Sequence, residues 1–187
     1  MVRSGVGKVN AAVCTQILID RFNVGCVINT GVAGSLSDAI EIGDIVISDD
    51  LVHHDMDAQG FGYPLGQVPQ MSAFSFKADE RMTRLADEAC RRVNPEIGVH
   101  HGRIVSGDQF IADQDKKKYL IEHFNALCTE MEGASIAHAA YLNHVPFVVL
   151  RAISDKANGS SHVDYPVFEA EAARHCALLT MELVRNL

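Results

Sequence analysis

The sequence predicts one α/β domain, covering residues 1–187, in which helices flank a mostly parallel or mixed, twisted central sheet. Short apolar segments alternate along the chain with longer segments of helical periodicity, as is typical of α/β folds. The short segments are apolar at nearly every position, which indicates strands buried on both faces of a sheet. With 187 residues, 48% of them hydrophobic, the chain is long enough for one core and too short for two comfortable domains.

The first half of the chain contains a predicted helix, two strands and a long loop. Apolar residues recur at intervals of three and four over 9–17, which predicts the helix. Strands are predicted over 24–30 and 45–48, and the glycine-containing segment 31–36 is interpreted as a turn. Residues 53–76 have no clear period and are rich in glycine and proline, so we expect a functional or interface loop there.

The second half continues the alternation. Its predicted helices cover 79–93, 113–123, 133–143 and 166–185. Its predicted strands cover 103–106, 126–130 and 146–153. Asp79 and Asp113 stand where N-caps are expected, since a short polar side chain there can accept from a free helix amide. Because ligands of such sheets bind beyond the carboxyl ends of the strands, polar residues at strand ends are the candidates for a site.

The composition excludes several classes of function. The net charge is −8, which argues against a nucleic-acid partner because phosphates need clustered cations. The one short basic run, Lys116–Lys118, is interpreted as an exposed helix face. Five scattered cysteines without a CxxC motif indicate free thiols in a cytoplasmic protein. No apolar segment has membrane-spanning length, and no membrane partner is expected.

Two motifs resemble ligand sites but have the wrong spacing. The segment Gly5–Lys8 has one residue between its glycines, whereas a phosphate-binding loop needs four, followed by Lys and Ser or Thr. We therefore interpret it as a turn that opens a helix. The segment 53–57 holds two histidines and two aspartates, but their spacing matches no standard metal site. No metal and no cofactor is predicted.

The segment Glu130–Met131–Glu132 follows an apolar strand and holds two carboxylates around a thioether. Burial of an unpartnered carboxylate is costly, so a functional role is plausible. Such a group could accept hydrogen bonds from both hydroxyls of a ribose, with Met131 as an apolar wall. Alternatively, the acidic residues favour the amino-terminus of the next helix, and the pattern does not decide between the two.

Three further strand ends carry candidate residues. Asp155 follows the most apolar strand, where a shielded acid could donate a proton or simply cap a turn. Phe110 could stack on a purine whose edge pairs with the backbone of Ile111, or both could be core residues. The predicted turn Gly31–Val32–Ala33–Gly34 would let the backbone approach a ligand closely, or serve packing alone.

Four segments together resemble a known family. INTGVAGSL, GDIVISDDLVHHDMD with FGYPLGQVP, RIVSGDQFI, and TEMEGASIAHAAYLNHVPFVVLRAISDKA are similar to bacterial 5′-methylthioadenosine/S-adenosylhomocysteine nucleosidases, of the nucleoside phosphorylase superfamily. The resemblance covers essentially the whole chain. It implies a three-layer α/β sandwich and hydrolysis of the N-glycosidic bond of both nucleosides, with release of adenine and without a cofactor. It also implies a homodimer in which the loop 53–76 completes the neighbouring site.

The resemblance assigns catalytic roles to three residues. Asp155 matches the acid that protonates N7 of the leaving adenine, Ser154 matches the residue that fixes this carboxylate, and Arg151 matches an arginine near the attacking water. Family members carry a leading segment of roughly forty residues, with the first strands and a water-activating glutamate. We expect that segment to be missing ahead of Val2.

The resemblance also implies a set of substrate-binding residues. Phe110 stacks on the purine and the backbone of Ile111 reads its edge. The other matched positions are Glu132 at the ribose hydroxyls, Glu130 and Met131 beside it, Ala33 and Gly34 in the wall, Tyr165 at the 5′-alkylthio pocket, and Phe61 and Pro69 lent by the neighbouring subunit.

Two other functions stay open at this stage. A phosphate-dependent phosphorylase would need arginines on glycine-rich loops, and Arg3 beside Gly5 is the only candidate. A protein that binds adenine nucleosides without turnover is the second possibility, because no residue of the sequence can be assigned as the water-activating base.

Overall fold

A computed structural model describes residues 1–157 and 161–187, and the backbone alone for 161–166. Helices and strands alternate in these ranges. The helices are α1 Lys8–Phe22, α2 Glu80–Val93, α3 Gln114–Phe124, α4 Gly133–Leu142 and α5 Ser161–Asn186. The strands are β1 Val27–Ser35, β2 Ile45–His53, β3 Phe76–Lys77, β4 Val99–Ser106, β5 Cys128–Glu130 and β6 Phe147–Asp155. No helix in the described ranges is both long and apolar enough to cross a bilayer.

The strands form one mixed sheet in the order β3-β2-β4-β5-β1-β6. Three pairings are parallel, namely β1 with β6, β2 with β4 and β4 with β5. An additional antiparallel pairing of β2 with β6 joins Ile45 to Ala152 and Ile47 to Leu150, so the sheet curls into a closed ring. The predicted α/β class is confirmed, and this closure is a feature that the sequence pattern did not predict.

Local capping signals predict the starts of α2 and α3. The Asp79 carboxylate accepts from the Met82 amide at 2.9 Å and opens α2. The Asp113 carboxylate accepts from the Lys116 amide at 2.9 Å and opens α3. Both are N-caps as predicted, because a cap needs only residues that are three apart in the chain.

The predicted turn over 31–36 is wrong, because Gly31–Ser35 continue β1. Gly31 pairs with Arg151 and Ala33 with Ile153 in the parallel ladder to β6, followed by a bulge. A Cβ atom on Gly31 would collide with the Arg151 guanidinium. The glycine therefore makes room for the side chain of Arg151 on the neighbouring strand. Its presence is explained by this packing and does not indicate a turn.

The basic run is also not a uniformly exposed face. Lys117 is buried, and its ammonium donates to the Lys156 carbonyl at 3.0 Å and to the Asp38 carboxylate at 3.3 Å. Burial of a lysine needs partners of this kind. Lys117 thus ties α3 to the segment that follows β6.

The helix α1 forms where periodicity predicts it, but its apolar stripe faces outward. Ala11 and Thr15 are buried, and α1 packs against α4. Val9, Val13 and Ile17, at successive intervals of four residues, are 74%, 53% and 50% exposed. A contiguous exposed apolar stripe of this kind is typical of an interaction surface.

Candidate active site

A cleft lies where the ends of β1, β5 and β6 meet. Gly34 in β1 pairs with Asp155 in β6 and with Thr129 in β5, and Ser106 at the end of β4 pairs with Glu130. The residues that line the cleft are Gly34, Gln109, Phe110, Ile111, Thr129, Glu130, Met131 and Asp155. The fold thus brings together the strand ends that carry the candidate residues.

Asp155 is held in one orientation at the floor of this cleft. It is only 2% exposed. One carboxylate oxygen accepts from the Ser154 hydroxyl at 2.9 Å, and the other accepts from the Ala157 amide at 2.9 Å. The Ser154 hydroxyl is itself fully buried and lies 3.4 Å from the Ala33 carbonyl. The acid is therefore positioned before any ligand arrives.

The lack of a side chain at Gly34 leaves room for the Asp155 carboxylate. A Cβ atom there would lie 3.0 Å from the Asp155 carboxylate and 3.0 Å from the Ala157 Cβ atom. Such contacts are tighter than van der Waals packing allows, so a side chain would displace the acid or the segment behind it. Gly34 thus forms part of the wall of the cleft, whereas Ala33 is not among the described residues that line it.

Glu130 is occupied by protein groups. It is 7% exposed and forms a buried ion pair with Arg151, which also donates to the Asn29 side chain at 2.6 Å. The Ser106 hydroxyl donates to the other oxygen. The amides of Glu132 and Gly133 donate to Glu130 at 3.0 and 2.7 Å. Glu130 therefore anchors the start of α4, which is the structural alternative that the sequence left open.

Glu132 is in a different environment. Its side chain is 16% exposed, one oxygen accepts from the Gly7 amide at 2.9 Å, and the other lies 3.8 Å from the Arg151 guanidinium. Burial raises the pKa of Glu132, and the charge of Glu130 raises it further, against the opposing effect of Arg151. One oxygen is thus left with capacity for donors such as sugar hydroxyls.

Three further residues that line the cleft are apolar. Phe110 is 48% exposed at the rim, whereas Ile111 is 6% exposed and packs in a core cluster with Leu36 and Ala157. Met131 is half-buried beside them. An aromatic ring half-exposed at the rim of a cleft offers a flat apolar face to a planar ligand.

Three predicted site residues lie elsewhere or outside the described side chains. Phe61 is 87% exposed on the short helical turn Gln59–Phe61, and Pro69 is half-buried in the same long loop. Neither is among the described residues that line the cleft. The side chain of Tyr165 lies outside the described residues.

Thr129 and Gln109 also line the cleft, and the sequence analysis did not name them. The Thr129 hydroxyl is buried and has no hydrogen-bond partner among the described residues. An unpartnered buried hydroxyl beside a cleft is a group that a ligand can satisfy. Its sequence signal is weak, since a threonine in a strand is ordinary.

Residues 1–185 match the family described as Phosphorylase superfamily. The chain belongs to the phosphorylase superfamily. One relative in this superfamily, the 5′-methylthioadenosine/S-adenosylhomocysteine nucleosidase of Staphylococcus haemolyticus, is 40% identical over 188 residues, which cover 100% of this chain and 81% of the relative.

Solved structures of the superfamily have the same fold. The Neisseria meningitidis 5′-methylthioadenosine/S-adenosylhomocysteine nucleosidase in complex with methylthio-immucillin-A is similar with a TM-score of 0.95 and 39% identity, over 98% of this chain and 79% of that chain. The futalosine hydrolase of Helicobacter pylori is similar with a TM-score of 0.93 and 36% identity, over 98% and 78%.

Two neighbouring histidines are buried beside the cleft of this superfamily member. His53 and His54 are 5% and 2% exposed, and His53 packs edge-on against the rings of Phe76 and His138. Burial lowers the pKa of His53 to about 4, with a further effect from Lys8, and burial lowers the pKa of His54. Within the described part of the chain, no three His, Cys, Asp or Glu side chains are grouped to hold a metal ion.

We expect the buried neutral His53 to make stability depend on pH. The folded pKa of His53 is about 4, below the ordinary 6.5. The contribution of the neutral ring to the free energy of unfolding is therefore intact above pH 6.5 and is lost as pH falls towards 4. The loss amounts to about 3 kcal/mol for such a shift. Urea unfolding between pH 7 and 4 should therefore show a shallower decline for His53→Phe than for wild type. The exposed His123→Gln is the control, and an unchanged slope for His53→Phe would contradict this assignment.

Proposed function

We propose that this chain hydrolyses the N-glycosidic bond of 5′-methylthioadenosine and S-adenosylhomocysteine, releasing adenine and the 5′-thioribose product. The observation that carries the proposal is the buried, pre-oriented Asp155 in a cleft that Phe110 and Ile111 also line. The names of the relatives in Staphylococcus haemolyticus and Neisseria meningitidis support the same choice of substrates.

The proposed chemistry follows from the groups in the cleft. Cleavage of a ribosidic C–N bond passes through an oxocarbenium-like state, as glycoside cleavage does. Asp155 donates its proton to N7 of the adenine, which then leaves as a neutral base. Phe110 covers the face of the purine, and the backbone at Ile111 pairs with its edge. Water adds to C1′ of the sugar and releases one proton to solvent, which replaces the proton that Asp155 donated. No described residue is assigned as the base that activates this water.

Glu132 is the proposed partner of the ribose hydroxyls. A carboxylate accepts hydrogen bonds and donates none, so two adjacent hydroxyls complement it. Its position beside the half-buried Met131 gives the sugar one charged and one apolar neighbour. Arg151, tied to Glu130 by an ion pair, is the proposed neighbour of the attacking water on the opposite face of the sugar.

Adenine release by the purified chain tests this function. Methylthioadenosine, S-adenosylhomocysteine and futalosine are incubated separately, with and without phosphate, and free adenine or cleaved base is quantified by chromatography. Release of adenine from the first two without phosphate is the expected result. Strict phosphate dependence would establish a phosphorylase instead, and cleavage of futalosine alone would assign the substrate of the Helicobacter pylori relative. Nucleoside binding in a calorimeter without any release would establish a binding protein.

We also propose that the protein is a homodimer in which the long loop of one subunit completes the site of the other. Two exposed apolar features support this assembly, the stripe on α1 and Phe61 at 87% exposure. Sedimentation should show a dimer, and Phe61→Ser should weaken binding of thio-nucleosides without changing binding of adenine. A monomer with full nucleoside affinity would contradict the proposal. The cytoplasmic location stays a prediction.

A further inference from the structure

A closed set of hydrogen bonds joins three distant segments beside the cleft. The Lys8 amide donates to the Asp108 carboxylate at 2.8 Å, and the Asp108 amide donates to the Asp55 carboxylate at 3.0 Å. The other oxygen of Asp55 accepts from the Lys8 ammonium at 2.6 Å. These three residues, called the Lys8 ring below, connect the start of α1, the segment after β2 and the turn after β4.

The side chains of Lys8 and Asp55 in this ring are partly buried, whereas Asp108 is exposed. The side chains of Lys8 and Asp55 are 22% and 17% exposed. Although burial opposes it, the Lys8 ammonium and the Asp108 amide hold the pKa of Asp55 below its usual value. Each of the three bonds is charge-assisted, because a carboxylate accepts it, and the three together close a ring that favours a fixed geometry.

Two residues of the Lys8 ring, Lys8 and Asp108, each adjoin a proposed substrate-binding element. Gly7, the residue before Lys8, donates its amide to Glu132 at 2.9 Å. Asp108 stands two residues before Phe110 in the segment that covers the base. The start of α1 therefore holds two carboxylates at once, Glu132 for the sugar and Asp108 for the base-binding segment, as free amides at a helix start can do.

Gly7 is suited to this double contact. Its φ of 92° lies in the left-handed region, and a Cβ atom there would lie 3.1 Å from the Asp108 carboxylate. A side chain at this position would therefore be strained and would push the turn away. The motif GVGK, which fails as a phosphate loop, has a specific geometric use here.

We propose that Lys8 and Asp55 are positioning residues that fix the distance between the sugar-binding carboxylate Glu132 and the base-binding segment at Phe110. This inference rests on the proposed function, since it needs a ligand that has both a base and a sugar. Neither residue is among the described residues that line the cleft. Their effect is to make base and sugar bind together rather than independently, which is the advantage of a pre-organised site.

Two ligands separate this role from simple stabilisation. Under the proposed function, methylthio-immucillin-A, the ligand of the Neisseria meningitidis relative, is expected to contact both elements, and adenine the base-binding element alone. Calorimetry should show that Lys8→Met and Asp55→Asn weaken the analogue about tenfold, the value of one charge-assisted contact, and adenine by less than about twofold. Lys8→Arg, which keeps the charge, should restore part of the difference.

A remote ion pair provides the control. Arg92 binds Glu182 at 2.7 Å between α2 and α5, and Arg92→Met should leave both affinities unchanged. The positioning role is wrong if Lys8→Met and Asp55→Asn weaken binding of the analogue and of adenine by the same factor, or if they change neither affinity. In both cases the proposed function stands. If the wild-type chain binds neither ligand, both the proposed function and this inference fail.

Discussion

Replacement of Asp155 with asparagine is expected to lower the rate of adenine release by about 10²- to 10⁴-fold, the range that a general acid contributes. Asparagine cannot deliver a proton to N7. It can, however, keep the local hydrogen bonds, because its carbonyl can accept from Ala157 and its amide can donate to the Ser154 hydroxyl. The cleft should stay intact, and adenine affinity should change little.

Single-turnover measurement of adenine release at saturating methylthioadenosine tests this expectation. Ser154→Ala is the matched variant, since it removes one hydrogen bond at 2.9 Å from the acid and leaves the carboxyl in place. It should slow release by only about tenfold. Wild-type turnover by Asp155→Asn, with an unchanged unfolding temperature, would remove Asp155 from the mechanism.

Replacement of Glu132 with glutamine is expected to weaken nucleoside binding and to stabilise the folded protein at the same time. Because burial and Glu130 raise the pKa of Glu132 above the ordinary 4.5, ionisation of this group costs more in the folded state than in the unfolded state. The cost is present above its folded pKa and disappears below about 4.5, where the group is protonated in both states. Glutamine is neutral and can still accept from the Gly7 amide.

Thermal unfolding at pH 7 should therefore give a higher midpoint for Glu132→Gln than for wild type, and the two should converge as pH falls below 5. Nucleoside affinity should fall about tenfold or more, since hydrogen bonds to a charged acceptor are lost. Glu182→Gln is the control and should lower the unfolding midpoint at pH 7, because Arg92 and Asn186 lower the pKa of Glu182. A destabilised Glu132→Gln would show that the carboxylate is held by the fold rather than strained by it.

Features that depend on neighbours in the chain were predictable from the sequence. The caps Asp79 and Asp113 act on amides three residues away, and apolar periodicity located α1, α2 and α5. Periodicity did not reveal which apolar face is buried, because the outward stripe on α1 and an inward one have the same spacing. Burial depends on what the rest of the chain supplies.

Features that depend on distant residues were not predictable. The pairing of Ile45 with Ala152 and the ring of Lys8, Asp55 and Asp108 join positions that nothing in their local sequence connects. Glu130 and Glu132 show the same limit within a site. The two carboxylates are two residues apart, and only the three-dimensional position of Arg151 and the helix amides makes one structural and the other available.

The closed ring of strands constrains where motion can occur. β6 is paired with β1 on one edge and with β2 on the other, and all nine of its residues are buried. A strand bonded along both edges opens only when much of the molecule opens. Amide protons of residues 148–152 should consequently be among the slowest to exchange with deuterium. If Asp155 is the proton donor, as proposed, its place at the end of β6 should stay fixed while ligands enter and leave past the outer rim of the cleft.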